Sequence, residues 1–194
     1  MDLIQHSTVI AVTNQKGGVG KTTSALNISQ ALAGLGYSVL VIDLDPQGNA
    51  TQGLGVKLAS VRVSVAELLR DKSLPDEAGI YKGPGLDLIP ATPLLAPVER
   101  EMIAITNSEL RLSQRLKRLR EKYQYIVIDN APGFGPLMNS ALNASDYVLV
   151  PVDSSFYGLA GLQKLLGEME VIREGCNPGL SILGLFMTLF DSTR

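Results

Sequence analysis

Apolar residues recur along the chain in two alternating spacings, and this pattern predicts alternating strands and helices. Continuous apolar runs, such as residues 9–12 and 125–128, are typical of strands buried on both faces of a parallel sheet. Apolar residues three and four positions apart, as over residues 21–35, indicate amphipathic helices. Strands are predicted near 7–13, 38–43, 86–90, 125–129, 147–152 and 181–189, and helices near 21–35, 64–71, 94–106, 108–122, 135–144 and 158–174.

The alternation predicts an α/β fold with a mostly parallel, twisted sheet flanked by helices on both faces. The chain has 194 residues, 45% of them hydrophobic, which suits one such domain with a large core. Because it has neither an internal repeat nor a domain boundary, we expect a single domain over residues 1–194. Capping-box spacings at residues 64–67 and 106–109 support the starts of the second and fourth predicted helices.

Composition argues against several classes of protein. The single cysteine, Cys176, cannot form an internal disulfide, and the apolar run over residues 182–189 is far below transmembrane length. The N-terminus lacks the positive region and the extended apolar stretch of a signal peptide. We therefore expect a cytoplasmic protein that does not associate with membranes.

The candidate chemistry begins in a glycine-rich segment between the first predicted strand and the first predicted helix. Glycines let backbone N–H groups approach phosphate oxygens, and the positive end of the following helix adds to the attraction. Lys21 is positioned to reach the β- and γ-phosphates of a nucleotide, and Thr22 to bind Mg²⁺. The segment predicts a nucleoside triphosphate site formed by Lys16, Gly17, Gly18, Val19, Gly20, Lys21, Thr22 and Thr23.

Carboxylates end two other predicted strands. Asp43 and Asp45 follow the second strand on the same side, and Asp129 ends the strand over residues 125–129. Such strand ends border the ligand crevice of a parallel sheet. Carboxylates beside a triphosphate are electrostatically costly unless a metal or a water needs them. Asp129 is therefore predicted to accept hydrogen bonds from Mg²⁺-bound water or from Thr22.

Taken together, these motifs resemble the ParA/MinD superfamily of ATPases, which carry a deviant Walker A loop. In the standard Walker A loop the first glycine would fall at position 15, where this chain has Gln15. A second lysine, Lys16, follows it. In the family this lysine crosses a dimer interface to the partner's ATP, so the resemblance implies catalytic roles for Lys16 in trans and Lys21 in cis. It also implies that Asp45 polarises the attacking water and that Asp43 helps to hold the Mg²⁺ hydration shell. The implied metal set is thus Thr22, Asp43 and Asp129, the last two through water.

The likeness covers essentially the whole chain, with identifiable departures. The family usually has two prolines after the Walker B aspartate, whereas Asp129 is followed here by Asn130-Ala131-Pro132. Asp153 stands where relatives often have glutamine. Family members usually continue beyond the last strand with further helices, so we expect residues 1–194 to lack the C-terminal helices of the family.

The loop and the Asp-Pro-Gln-Gly-Asn motif at residues 45–49 are most similar to partition members. The resemblance therefore implies an ATP- and Mg²⁺-dependent ATPase that forms an ATP-sandwich homodimer and hydrolyses ATP slowly until a ParB-type partner stimulates it. It also implies non-specific DNA binding, DNA partitioning or positioning, and a nucleoid-associated ATP form. Alternatives within the superfamily are a MinD-like membrane-cycling regulator and a metabolic ATPase or kinase. ATP is expected over GTP because Leu189 stands where guanine-specific relatives place lysine.

One basic segment differs from the rest of this chain, whose net charge is −2. Residues 108–124 contain six Lys or Arg and two Glu. A basic helical stripe can contact DNA phosphates without reading sequence. The candidate DNA contacts are Arg111, Arg115, Arg118 and Lys122. The alternative interpretation, a solvated helix face, is favoured by the acidic overall charge.

Overall fold

The computed structural model of the chain describes residues 7–153 and 156–189, without the side chains of residues 156–160. The described residues form a sheet of seven strands: β1 (Thr8–Val12), β2 (Val39–Leu44), β3 (Tyr81–Lys82), β4 (Asp87–Ile89), β5 (Tyr125–Asn130), β6 (Tyr147–Asp153) and β7 (Ser181–Thr188). The helices are α1 (Lys21–Gly34), α2 (Asn49–Gly53), α3 (Val65–Arg70), α4 (Leu95–Ile103), α5 (Arg111–Leu119), α6 (Pro136–Ala144) and α7 (Phe156–Gly175). Short 3-10 helices lie at Leu58–Ser60, Asp76–Gly79 and Ser108–Leu110.

The strand order is β3-β4-β2-β5-β1-β6-β7, and every pairing is parallel except that of β3 with β4. The predicted fold class, a mostly parallel sheet between helices, is confirmed, and all six predicted strands are present. The two-residue strand β3 was not predicted, because it is too short to show a periodic pattern. The parallel pairing brings the carboxyl ends of β1, β2, β5 and β6 to one edge of the sheet.

The core lies on both faces of this sheet. On one face, apolar residues of β1, β2 and β5 pack against α3, α4, α5 and α6, and β6 packs against α6 and α7. On the opposite face, α1 covers the sheet through residues such as Ala25 and Leu26. Because both faces are covered, the central strands must be apolar at successive positions, which is the pattern that the sequence shows.

Two local predictions about helices differ in outcome. The Ser64 hydroxyl and the Glu67 carboxylate form the predicted capping box at the start of α3. No capping box forms at residues 106–109, because Asn107 has a left-handed backbone (φ 57°) and the Ser108 hydroxyl donates instead to the Met102 carbonyl at 2.7 Å. Helix α5 consequently begins at Arg111, after a 3-10 turn.

Candidate nucleotide-binding site

The glycine-rich loop joins β1 to α1 and is held in place by side-chain contacts. Gly18 (φ 74°) and Gly20 (φ 82°) have left-handed backbones that other residues rarely adopt. Gly20 directly precedes α1, so the loop feeds into the positive end of that helix. The Thr188 hydroxyl of β7 donates to the Val19 carbonyl at 2.9 Å. The loop is therefore anchored to two strands of the sheet, β1 and β7.

A cavity of about 740 Å³ opens at this loop, within the usual size range of small-molecule sites. Six of the eight predicted nucleotide-binding residues line it: Gly17, Gly18, Gly20, Lys21, Thr22 and Thr23. Lys16 and Val19, although both are described by the structure, are not among its lining residues. The lining also includes Asp45, Pro46, Gln47, Asn49, Pro132 and Leu189. Sequence reasoning placed Leu189 near the nucleotide base, but it did not assign Pro132 to the site.

Lys21 lies at the base of the cavity, only 6% exposed. Its ammonium group donates to the Lys16 carbonyl at 2.8 Å. Burial lowers the pKa of Lys21, and the negative charges of Asp129 and Asp45 oppose that effect. The structure therefore brings Lys21 together with two of the carboxylates that the sequence singled out.

Asp129 ends β5 with a fully buried carboxyl group. Neither of its oxygens has a hydrogen-bond partner of normal geometry among the described residues. The pKa of Asp129 is raised to about 7, mainly by burial and also by the nearby Asp43 and Asp45 charges, although a hydrogen bond from Thr22 and the Lys21 charge oppose the shift. A buried carboxyl group whose hydrogen-bonding capacity is so incompletely used is costly, so Asp129, beside Thr22 and Lys21, is a candidate ligand-binding group.

The side-chain oxygens of Asp129 and Thr22 fit a Mg²⁺ site. The described residues contain no group of three or more His, Cys, Asp or Glu side chains arranged to hold a metal alone. Mg²⁺ usually keeps several waters and is held by one or two carboxylates together with substrate phosphates. The unpartnered Asp129 oxygens and the Thr22 hydroxyl at the cavity match that pattern.

Asp43 is held by hydrogen bonds from two neighbouring segments. One of its oxygens accepts hydrogen bonds from the Thr51 amide at 2.8 Å and the Thr51 hydroxyl at 2.7 Å, and the other accepts from the Asp45 amide at 3.1 Å. Burial raises the pKa of Asp43, and these bonds oppose the effect. The structure thus uses Asp43 to anchor α2 and the Asp45 loop, and its place in the hydration shell of the metal stays a prediction.

Asp45 lines the cavity, where its side chain can contact a ligand. Its carboxylate accepts a hydrogen bond from the Gln47 amide at 2.9 Å, which fixes the turn that carries it. The segment after this turn forms α2, which is not among the predicted helices. Two bonds from Thr51 to Asp43 tie this helix to β2, and the left-handed Gly48 (φ 65°) precedes its first residue.

The Lys16 side chain extends to the carboxyl end of β6. Its ammonium group forms an ion pair with Asp153 at the end of β6. Its backbone amide donates to Asn14 at 3.0 Å, and Asn14 in turn donates to the Pro151 carbonyl at 2.7 Å. Sequence reasoning noted Asp153 only as a departure from the family and missed this contact.

The predicted DNA-contact stripe on α5 is interrupted at two of its four positions. Arg111 donates to the Leu69 carbonyl at 2.8 Å. Arg115, whose side chain is 12% exposed, donates to the Leu68 carbonyl at 2.9 Å and forms an ion pair with Asp76 at 2.9 Å. Both guanidinium groups thus hold the carboxyl end of α3 and the segment after it, a structural role that the helical spacing alone could not reveal.

Only part of the stripe faces solvent. Arg118 is exposed, and Lys122 is exposed but forms an ion pair with Glu77 at 2.6 Å. Arg111 and Arg115 are half-buried, and their guanidinium groups are engaged by the fold. The DNA-contact role of the four residues stays a prediction.

A parallel sheet with a glycine-rich loop between its first strand and helix, and acidic residues at neighbouring strand ends, defines a phosphate-loop nucleoside triphosphatase. A family model described as an AAA domain matches residues 7–182. The chain is 43% identical over 187 residues to the sporulation initiation inhibitor protein Soj of Bacillus subtilis, covering 95% of this chain and 73% of Soj. It therefore belongs to the Soj/ParA family of partition ATPases within the ParA/MinD superfamily, which confirms the resemblance drawn from the motifs.

Other comparisons agree with this assignment. The chromosome partitioning protein ParA of Myxococcus xanthus is 40% identical over 185 residues, which are 95% of this chain and 65% of that protein. A solved cobyrinic acid a,c-diamide synthase from Mycobacterium smegmatis, with a bound ATP analogue and magnesium, is 34% identical with a TM-score of 0.91, covering 97% of this chain and 77% of that one. A plasmid partition protein from Borrelia burgdorferi is 28% identical with a TM-score of 0.83, covering 97% and 81%. None of the helices described by the structure is long and apolar enough to cross a membrane.

Proposed function

We propose that this chain is a Mg²⁺-dependent ATPase that dimerises around ATP and partitions or positions DNA. The observation that carries the proposal is the cavity in which the glycine-rich loop, Lys21 and Asp45 meet, with the unpartnered Asp129 buried beside them. Relatives named for chromosome partitioning supply the biological context. We treat residues 1–194 as one ATPase domain.

In the proposed mechanism, the loop binds the triphosphate through its backbone amides at residues 17–23. Lys21 exchanges the Lys16 carbonyl for β- and γ-phosphate oxygens, which supply the negative charge that a partly buried ammonium group needs. Thr22 and Asp129 would hold the metal, Asp129 through water. A bound Mg²⁺ would neutralise negative charge that develops on the phosphate oxygens during transfer.

Hydrolysis is assigned to Asp45, which faces the cavity on a fixed turn. Its carboxylate orients a water for attack on the γ-phosphorus, ADP departs, and Lys21 stabilises the charge on the phosphate oxygens. A second cation, Lys16, is supplied by the other protomer. Because each site takes one of its cations from the other protomer, we expect slow hydrolysis by the isolated protomer. We expect faster hydrolysis in the complex with a ParB-type activator.

The exposed loop tip supports the proposed dimer. Lys16, Gly17 and Gly18 are consecutive exposed residues, and an added Cβ at Gly17 would meet nothing within 4 Å in the protomer. A two-fold dimer would bring the two tips together across the nucleotides. We further propose that the ATP-bound dimer binds DNA non-specifically and associates with the nucleoid. Its DNA surface does not depend on Arg111 or Arg115, which are committed to the fold.

The first test separates nucleotide binding from hydrolysis. Lys21→Ala should abolish ATP binding measured by calorimetry, whereas Asp45→Ala should bind ATP and lose phosphate release by roughly 100-fold or more. Lys57→Ala, which removes an exposed lysine outside the cavity, serves as the control. Normal hydrolysis by Asp45→Ala would refute the catalytic assignment, and normal ATP binding by Lys21→Ala would refute the site.

A second test addresses dimerisation. Gly17→Val should fold and bind ATP, because the protomer has space for the side chain and Gly17 does not need a left-handed backbone. It should nevertheless fail to form ATP-dependent dimers in light scattering. Dimers of this variant as strong as those of the wild type would contradict the sandwich arrangement.

A metabolic ATPase is the second candidate, because one solved neighbour is named as a cobyrinic acid a,c-diamide synthase. ATP-dependent, salt-sensitive DNA binding in a gel-shift series would favour partitioning. ATP-dependent amidation of a corrinoid acid without DNA binding would favour the metabolic alternative.

A further inference from the structure

Lys16 lies in the phosphate loop but does not line the cavity that this loop forms. Contacts with other described residues hold it within its own protomer. Its amide donates to Asn14 at 3.0 Å, its carbonyl accepts from Lys21 at 2.8 Å, and its ammonium group forms an ion pair with Asp153. The side chain is thus directed to the end of β6 rather than to the position of a nucleotide.

We infer that Asp153 is a positioning residue that holds Lys16 in an intramolecular ion pair, and that this pair must break before Lys16 can reach the nucleotide of a second copy of the chain. The inference rests on the proposed ATP-dependent dimer. It adds an element of regulation, since an ion pair within one protomer competes with a contact between two.

The two partners differ in how firmly they are held. The Asp153 side chain is 14% exposed at the end of β6, in register with Thr188 of the neighbouring strand, whereas the Lys16 side chain is 42% exposed at the loop tip. Release therefore consists of Lys16 turning away, since Asp153 is the more rigidly placed group.

Nucleotide binding weakens the hold on Lys16 through Lys21. The Lys21 ammonium group, which donates to the Lys16 carbonyl here, turns to phosphate oxygens when a triphosphate enters the cavity. The contact between Lys21 and the Lys16 carbonyl is then lost, while the Asp153 pair persists. ATP thus prepares Lys16 for release, and the Asp153 pair sets the remaining barrier to association.

The size of this barrier follows from the exposure of the pair. A solvent-exposed ion pair shifts an equilibrium by roughly 1.5- to 5-fold. A symmetric dimer breaks two such pairs, so removing the Asp153 charge should lower the dimer dissociation constant by roughly 2- to 30-fold. Screening of the pair by salt should shrink the difference at high ionic strength.

The experiment measures dimerisation of the full chain by light scattering at a saturating concentration of a non-hydrolysable ATP analogue, so that changes in nucleotide affinity do not contribute. Asp153→Asn removes the charge, and Asp153→Glu restores it. Glu101→Gln is the matched control, because it breaks another surface ion pair, that with Arg70 at 2.6 Å, and makes the same change in net charge. Each variant is measured at low and at high salt.

We expect tighter dimers for Asp153→Asn at low salt, a smaller difference at high salt, and near wild-type behaviour for Asp153→Glu and Glu101→Gln. A purely structural role would give weaker dimers and lower stability instead, and would overturn the inference. Equal tightening by Glu101→Gln would also overturn it, since net charge would then explain the result. If the wild type dimerises and Asp153→Asn does not differ from it, only the ion-pair inference fails. If no variant dimerises, the proposed function fails with it.

Discussion

Asp129 should make the ligand-free protein less stable as the pH rises, and Asp129→Asn should relieve this effect. The carboxyl group is fully buried and its oxygens have no partner of normal geometry among the described residues. Its pKa in the folded chain is about 7, against 3.8 for an ordinary aspartate. The folded state therefore binds this proton more tightly than the unfolded state does, and stability falls as the pH rises from about 4 to about 7.

The magnitude follows from the shift of the pKa. About three pKa units correspond to roughly 4 kcal/mol of lost stability above pH 7, and to less than about 2 kcal/mol at pH 5. Asparagine is uncharged at both pH values, and the cost of burying its amide is the same at each. The stability of Asp129→Asn relative to the wild type should therefore increase by roughly 2–3 kcal/mol between pH 5 and pH 8.

Urea unfolding of the nucleotide-free and Mg²⁺-free chain at the two pH values measures this difference. Asp146→Asn is the control, because that carboxylate is partly exposed and accepts hydrogen bonds from Arg120 at 2.9 Å and from the Val9 amide at 2.7 Å. The control should lose stability at both pH values. A stability difference between Asp129→Asn and the wild type that is equal at pH 5 and pH 8 would refute the reasoning.

Three further predictions concern the same contacts. The affinity for Mg²⁺-ATP should fall below about pH 7 as Asp129 takes up a proton, by up to about tenfold per pH unit. Calorimetry should show that the affinity of Asp129→Asn depends less steeply on pH. An equal pH dependence in the variant and the wild type would contradict the assigned metal contact. Arg115→Ala should destabilise the chain by roughly 3–5 kcal/mol because it leaves a buried aspartate unpaired, whereas Arg118→Ala should leave urea unfolding nearly unchanged, and equal losses would argue against the structural role. Thr51→Val should cost roughly 1–3 kcal/mol because it leaves Asp43 with fewer donors, and an unchanged unfolding midpoint would remove the anchoring role.

The position of the phosphate site could be derived from the sequence because its parts are local. A strand buried on both faces must be apolar at consecutive positions, and a turn that approaches phosphates requires glycines such as Gly18 and Gly20, whose backbones are left-handed. Asp45 and Asp129 each come at the end of such an apolar run. Because the carboxyl ends of parallel strands border the ligand crevice, the sequence alone predicts that both residues lie there.

What local patterns could not determine are the partners of the charged groups. The spacing of Arg111 and Arg115 predicted a shared helix face, but only the packing of α5 on α3 showed that this face meets backbone carbonyls. The motif that contains Asp43 likewise gave no sign that the Thr51 hydroxyl would donate to this carboxylate.

By itself, the sequence determined the α/β fold class, the order of the motifs and the phosphate loop, because these follow from periodicity and from residues next to one another. Tertiary structure alone decided which cations and carboxylates pair. Lys16 and Asp153 are 137 positions apart, and they meet only because β1 and β6 lie side by side in parallel. The partner of a charged residue leaves no periodic pattern in the sequence. Such a pair depends on the register of the sheet, which only long-range packing sets.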